Sequence, residues 1–151
     1  MLGRYELLSS SISSMYHDIQ KIERVEMAKY GLKGPHAQCL LAMRSNPDGI
    51  TASQLCAICD KDKAAISRTV AELEQEGLVE RCMKGSIRYR ALLKLTQQGQ
   101  TAAVQVEEKV KRAVEKAGTG LSDEHRVIFY QVLNLIAGHL QVICEEGLDN
   151  V

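Results

Sequence analysis

The stretch TASQLCAICDKDKAAISRTVAELEQEGLVERCMKGSIRYRALLKLTQQG, residues 51–99, joins two short helical patterns, a sharp break and a basic alternating segment. Thr51 is placed to cap a first helix running to Cys59, in which Leu55, Ile58 and Cys59 recur at helical spacing and are expected to face inward. Asp60-Lys61 interrupts that pattern. Asp62 is then placed as the N-cap of a second helix whose Ile66, Val70 and Leu73 keep a 4,3 step, and Gly77 stands where a helix end favours a left-handed residue. The opposite face shows Lys63, Ala64, Ser67 and Arg68 in its first two turns. Past Gly77 the period becomes alternating. Residues 78–83 and 87–95 read as two strands around Lys84-Gly85-Ser86, with Tyr89, Ala91, Leu93 and Leu95 on one face and Arg88, Arg90 and Lys94 on the other; Leu92 breaks the alternation. Arg81, Lys84, Arg88, Arg90 and Lys94 are five cations in a segment without an acid.

Two helices across a tight turn, followed by a basic two-stranded finger, is the layout of a winged helix-turn-helix, and it points to duplex DNA. A helix face of short polar and cationic side chains settles into a major groove, and a basic finger suits phosphates or the minor groove. The expected DNA contacts are Thr51, Lys61, Lys63, Ala64, Ala65, Ser67 and Arg68 on the helical part and Lys84, Arg88 and Arg90 on the wing.

The flanks are helical. Leu8, Ile12, Met15, Ile19 and Ile22 step 4,3,4,3, predicting a long amphipathic helix from about Leu2 to Lys29 that stops at Gly31. Pro35 suits the first turn of the next helix, whose Cys39, Leu40 and Met43 turn inward until Pro47-Asp48-Gly49 ends it. Beyond the finger, Thr96 caps a helix to about Ala117, and Ser122 with Asp123 and Glu124 starts the last one. That last helix carries two stripes, Phe129, Leu133, Ile136, Leu140 and Ile143 beside Ile128, Val132, Leu135 and Val142, which is wider than one neighbour needs. A subunit interface through Leu8, Ile12, Met15, Phe129, Leu133, Ile136, Leu140 and Ile143 follows, with His139 half-buried in it. Such a twofold dimer places two reading helices about one turn of DNA apart, ~34 Å, as a palindrome requires.

The predicted class is therefore mainly α with a small β-hairpin wing: one fold over residues 1–151, with dimerisation helices at 1–32 and 100–151 around a DNA-binding region at 33–99. A chain of 151 residues can bury one core. Its net charge is zero, but it divides unevenly: 6 basic and 5 acidic groups over residues 1–49 (+1), 8 and 6 over 50–99 (+2), 5 and 8 over 100–151 (−3). The positive excess lies on the reading unit, though it is small for a DNA binder. No continuous apolar run approaches the roughly 20 residues of a membrane span and the N-terminus lacks an apolar signal core, so a cytoplasmic protein is expected. Five cysteines without repeated spacing read as reduced thiols, and Cys56-x-x-Cys59 lacks the second pair a zinc site needs, so no metal or cofactor is expected. No nucleotide-binding glycine loop, HExxH or GxSxG occurs, and the four histidines are scattered, which argues against an enzyme.

Over nearly its whole length the chain resembles the MarR family of bacterial transcription regulators. The resemblance rests on the six-helix order, on Asp62-Lys63-Ala64-Ala65-Ile66-Ser67-Arg68-Thr69-Val70, on Glu76-Gly77-Leu78-Val79-Glu80-Arg81 opening the wing and on Leu95-Thr96-Gln97-Gln98-Gly99 closing it. It implies a homodimer joined through first and last helices, palindromic operator binding, and a repressor released when a small phenolic or lipophilic molecule, or an oxidant, acts near the junction of the dimer and DNA-binding regions. Tyr16, His17, Met27, Tyr30, His36 and Met43 lie on helices that border the family's usual pocket, and Tyr16, His17, Tyr30 and Met43 are the expected ligand contacts. The family's wing often holds an Asp two residues before an Arg as a brace; here Ile87 stands at that place before Arg88-Tyr89-Arg90, so the wing is expected to find other support. Two alternatives stand beside ligand release. One is a thiol sensor acting through Cys82, beside Arg81 and close to Lys84; the other is a winged helix that contacts protein alone.

Overall fold

The computed structural model describes residues 2–82 and 91–150. It contains α1 (Leu2–Ala28), α2 (Gly34–Arg44), α3 (Ala52–Cys59), α4 (Lys63–Gln75), β1 (Val79–Cys82), β2 (Leu92–Leu95), α5 (Gln97–Ala117), α6 (Asp123–Glu146) and a closing 3-10 turn (Leu148–Asn150). By internal packing the chain divides into two units, residues 1–110 and 111–151.

In the first unit the boundaries of α3 and α4 have local causes. Thr51 Oγ1 accepts from Gln54 N while the Gln54 side chain accepts from Thr51 N, a reciprocal cap that opens α3. Asp60 takes a left-handed conformation, φ 49°, ψ 51°, and turns the chain, after which Asp62 Oδ1 accepts from Ala65 N at 2.8 Å to start α4. At the far end of α4, Gly77 lies at φ +72°, with Gly77 N donating to Glu74 O and Leu78 N to Leu73 O. That pair of bonds is a Schellman ending, and it directs the chain into β1. The two strands pair antiparallel from Val79 opposite Leu95 to Cys82 opposite Leu92, and Ile50 bridges to the other edge of β2 at Leu93. Leu93 and Leu95 are buried, as their alternation requires.

Thr96 joins the wing to α5. Its Oγ1 donates to Gly77 O at 2.7 Å and accepts from Gly99 N at 3.0 Å. Gly99 is needed because a Cβ at this position would stand 1.9 Å from Leu78 O. The core gathers Leu40, Met43, Ile50, Leu55, Ile66, Val70, Leu73, Leu93 and Val106, all nearly inaccessible to solvent. At ~25 cal/mol per Å² of apolar surface this is the main stabilising term of the unit. One inward assignment fails: Ile58 is 57% exposed, because α3 buries the line Leu55–Cys59 and Ile58, about 100° round the helix from Cys59, falls on the flank of that line away from the core. Ion pairs fasten α5 within this unit, Arg44–Glu107 to α2 and Lys109–Glu26 to α1.

In the second unit, Ser122 Oγ accepts from His125 N and caps α6, while Arg126 Nη2 donates to Gly118 O at 2.7 Å. No residue of α6 is buried. Phe129, Leu133, His139 and Leu140 are exposed in the single chain, and Ile136 and Ile143 are half-buried. α6 is also long and apolar enough to cross a membrane by length and composition. Its apolar run is not continuous, because the polar positions between the stripes, Gln131, Asn134, His139 and Gln141, interrupt it without adding formal charge.

Candidate nucleic-acid interface

α4 separates its two faces cleanly. Ile66, Thr69, Val70 and Leu73 are buried, while Lys63, Ala64, Ser67, Arg68 and Ala71 are exposed on the opposite side and Ala65 lies at the boundary. Thr69 keeps its hydroxyl satisfied by donating to Ala65 O at 3.0 Å, which allows its methyl to join the core. The exposed face begins with small side chains, so a groove edge can approach the helix closely, and Arg68 reaches beyond them. Lys61 is exposed in the turn before α4. Thr51, half-buried, holds the α3 cap with its hydroxyl.

The charge on α4 is sorted along its length. Its two acids, Glu72 and Glu74, lie in the C-terminal half, and both are matched. Glu72 accepts from Lys33 Nζ at 2.6 Å and from His36 Nε2 at 2.8 Å. Lys33 first, then His36, hold the Glu72 carboxyl below the usual carboxylate range. His36 is buried, and its Nδ1 accepts from Lys33 N at 3.1 Å, which assigns the ring proton to Nε2 and aims it at Glu72. Glu74 takes Arg81 of β1 in a two-pronged bond, 2.8 Å to Nε and 3.1 Å to Nη2, and that carboxylate raises the arginine's pKa further. Lys63 and Arg68, by contrast, make no ion pair among the described residues. The cationic half of the helix is thereby left to solvent although the whole chain is neutral.

The Arg81–Glu74 bond also ties β1 to α4 at the base of the wing, a support that nothing in the motif announced. The expected wing contacts Lys84, Arg88 and Arg90, and Tyr89 with them, lie outside the described residues. Of the basic setting expected for Cys82, Arg81 turns to Glu74 and Cys82 Sγ lies 4.0 Å from Glu80 Oε1, while Lys84 lies outside the described residues.

A cleft of about 580 Å³ lies between α1, the start of α2 and Lys61. His17, Lys21, Glu23, Arg24, Lys33 and Lys61 line it. Half-burial raises the Glu23 carboxyl while nearby Lys61 lowers it. Of the four expected ligand contacts the structure brings only His17 here; Met43 is in the core, and Tyr16 and Tyr30 are exposed elsewhere. The cationic lining is contributed by three separate segments, so no single stretch of sequence displayed it. Among the described residues no group of three His, Cys, Asp or Glu side chains is arranged to hold a metal ion.

Residues 30–84, from the end of α1 into the wing, match the MarR family. A protein of Thauera aromatica, named as the transcriptional regulatory protein for the hcr operon, is 28% identical over 122 residues, 81% of this chain and 70% of the relative. Among solved structures, a MarR-family regulator of Listeria monocytogenes complexed with a 26-mer DNA superposes with a TM-score of 0.81 at 19% identity, covering 92% of this chain and 90% of that one. A MarR-family regulator of Silicibacter pomeroyi gives 0.71 at 20% identity, covering 85% and 86%. At these identities the structural likeness is one of fold.

Proposed function

With a MarR-type sequence over residues 30–84 and a MarR-type fold over most of the chain as the premise, we propose that the chain is a transcription regulator, a cytoplasmic homodimer that reads a palindromic operator and represses until an effector releases it. The observation that carries DNA binding is the outward face of α4. Lys63, Ala64, Ser67 and Arg68 are exposed on it, with no ion pair to Lys63 or Arg68 among the described residues, while the acids behind them are held by Lys33, His36 and Arg81. Arg68 reads a base edge or phosphate in the major groove, with Ala64, Ala65 and Ser67 setting the distance of approach; Lys61 and Thr51 approach the backbone, and Lys84, Arg88 and Arg90 extend the contact along the wing. The apolar stripes of α1 and α6 are the dimer surface, which sets the spacing of the two reading helices.

For release, the 580 Å³ cleft is the effector site. Four cations against one acid favour an aromatic or lipophilic molecule that carries an acidic group over a neutral one. An effector acts only through its different affinities for the DNA-fitting and non-fitting dimers, so operator must weaken effector binding in return.

The deciding experiment is a retardation assay against the DNA flanking the protein's own gene, at two salt concentrations. Arg68→Ala is expected to cost about 1–3 kcal/mol on the best site with an unchanged melting temperature. Unchanged affinity in that variant means the wrong helix face has been assigned; no retardation by the unaltered protein at low salt favours a protein-contact module.

A further inference from the structure

Beside the reading helix lies a pair of thiols for which DNA contact has no use. Cys39, in the middle of α2, and Cys59, the last residue of α3, stand twenty positions apart, yet their Sγ atoms approach to 4.0 Å. They are 1% and 7% exposed. Both nevertheless line a crevice of about 250 Å³ whose other walls include Lys61, Arg68 and Glu72, so a small solute has a route to the sulfurs. A closure of about 2 Å brings them to bonding distance, ~2.05 Å.

We propose that Cys39 and Cys59 form a reversible intrachain disulfide when a hydroperoxide enters this crevice, and that the bond weakens operator binding by displacing the turn that starts α4. The regulatory consequence rests on the DNA-binding reading above; the thiol chemistry does not.

The two sulfurs have distinct roles. The hydrogen bond from Cys39 and, to a lesser degree, the charge of Lys61 hold Cys59 below the ordinary thiol range against the opposing effect of burial, while the same bond and burial push Cys39 up. Cys59 is thus the attacking thiolate, and Cys39 keeps its proton. The Cys59 thiolate attacks one oxygen of hydrogen peroxide; the O–O bond breaks, the departing hydroxide takes a proton and leaves as water, and Cys59 becomes a sulfenic acid. The Cys39 sulfur then attacks the Cys59 sulfur. The S–S bond forms as S–O breaks, and the Cys39 proton leaves with the hydroxide as a second water. Two thiols lose two electrons and two protons, and one peroxide becomes two waters. The resulting strain falls on a short lever: Cys59 directly precedes left-handed Asp60 and, three residues on, the Asp62 cap of α4. A densely packed interior does not absorb such a shift quietly.

The test treats the full-length reduced protein with hydrogen peroxide, then alkylates and maps its tryptic peptides, with DNA retardation as the second readout. Cys56 shares the 45–61 peptide with Cys59, so the map is repeated in Cys56→Ser. The expected product links peptide 34–44 to peptide 45–61, weakens DNA binding roughly tenfold or more, and is reversed by dithiothreitol. Cys39→Ser and Cys59→Ser, each checked by its melting curve and replaced by the alanine variant where serine does not fold, lose both effects; a Cys82→Ser, Cys144→Ser double variant keeps both. A link through Cys56, a link between subunits, a sulfinic acid at Cys59 without a bond, or a disulfide that leaves DNA affinity unchanged overturns the proposal. Failure of the reduced protein to bind DNA strikes the DNA-binding reading instead, and the peptide map alone then decides the pair.

Discussion

Residues 27–106 and the helix α6 carry apolar patterns of similar strength and meet opposite fates. Every fully buried apolar residue among those described lies between Met27 and Val106, whereas α6 buries none and most of its Phe129–Leu140 stripe is open to solvent. The first region is stabilised by what its own chain supplies: caps at Thr51 and Asp62, a Schellman ending at Gly77, and a core around Leu40, Leu55 and Leu73. The second leaves its apolar stripe open to solvent. Apolar periodicity therefore marks a face as apolar and does not say what covers it.

The largest effect that sharpens this contrast is expected at Gly99. Its Cβ position is occupied by Leu78 O, itself held by Thr96 N at 3.0 Å, so the carbonyl has no room to retreat. Gly99→Ala is expected to destabilise the 1–110 unit by more than about 4 kcal/mol, seen as loss of the cooperative melt. Next come paired substitutions, one in each region. Leu73→Ala is expected to cost about 2–5 kcal/mol at any protein concentration. Leu133→Asp puts an unpaired charge in the proposed interface and should yield a folded monomer by light scattering. A monomeric unaltered protein at micromolar concentration breaks the comparison outright, since the exposed stripe then has no second copy to cover it.

A smaller effect concerns the link between α2 and α4. Because the folded Glu72 carboxyl is held below its ordinary value, its contribution to stability is fully present above the usual glutamate range, ~4.3, and is lost as pH falls through the folded value. The gap in melting temperature between the unaltered protein and Glu72→Gln should therefore be flat near neutrality and close on acidification below that range. A gap that persists at the lowest pH shows that the substitution acts through packing. The smallest effect is at the wing base: the Arg81–Glu74 pair is substantially exposed, so Arg81→Ala should cost no more than about 1 kcal/mol in thermal stability. A larger loss identifies that pair as the brace that Ile87 does not provide.

The helices, their caps, the tight turn and the start of the wing were all legible in the residues, because each depends on interactions within a few positions: an oxygen three residues before an amide, a glycine just past a helix end, a period of 3.6 or 2. So was the outward face of α4, once Ile66, Val70 and Leu73 were assigned to the core. Ile58 was misjudged, since a short helix offers two plausible inward lines and only the position of its neighbours chooses between them. The contacts that sort the charge of α4 were not legible. Lys33 and Glu72 are 39 residues apart, Cys39 and Cys59 are 20 apart, and the cationic cleft draws on α1, α2 and the turn before α4. Sequence periodicity alone determined which faces are apolar and which face of α4 turns outward; only the tertiary fold decided which distant charges neutralise one another and which thiols meet, because those energies depend on separation in space and not along the chain.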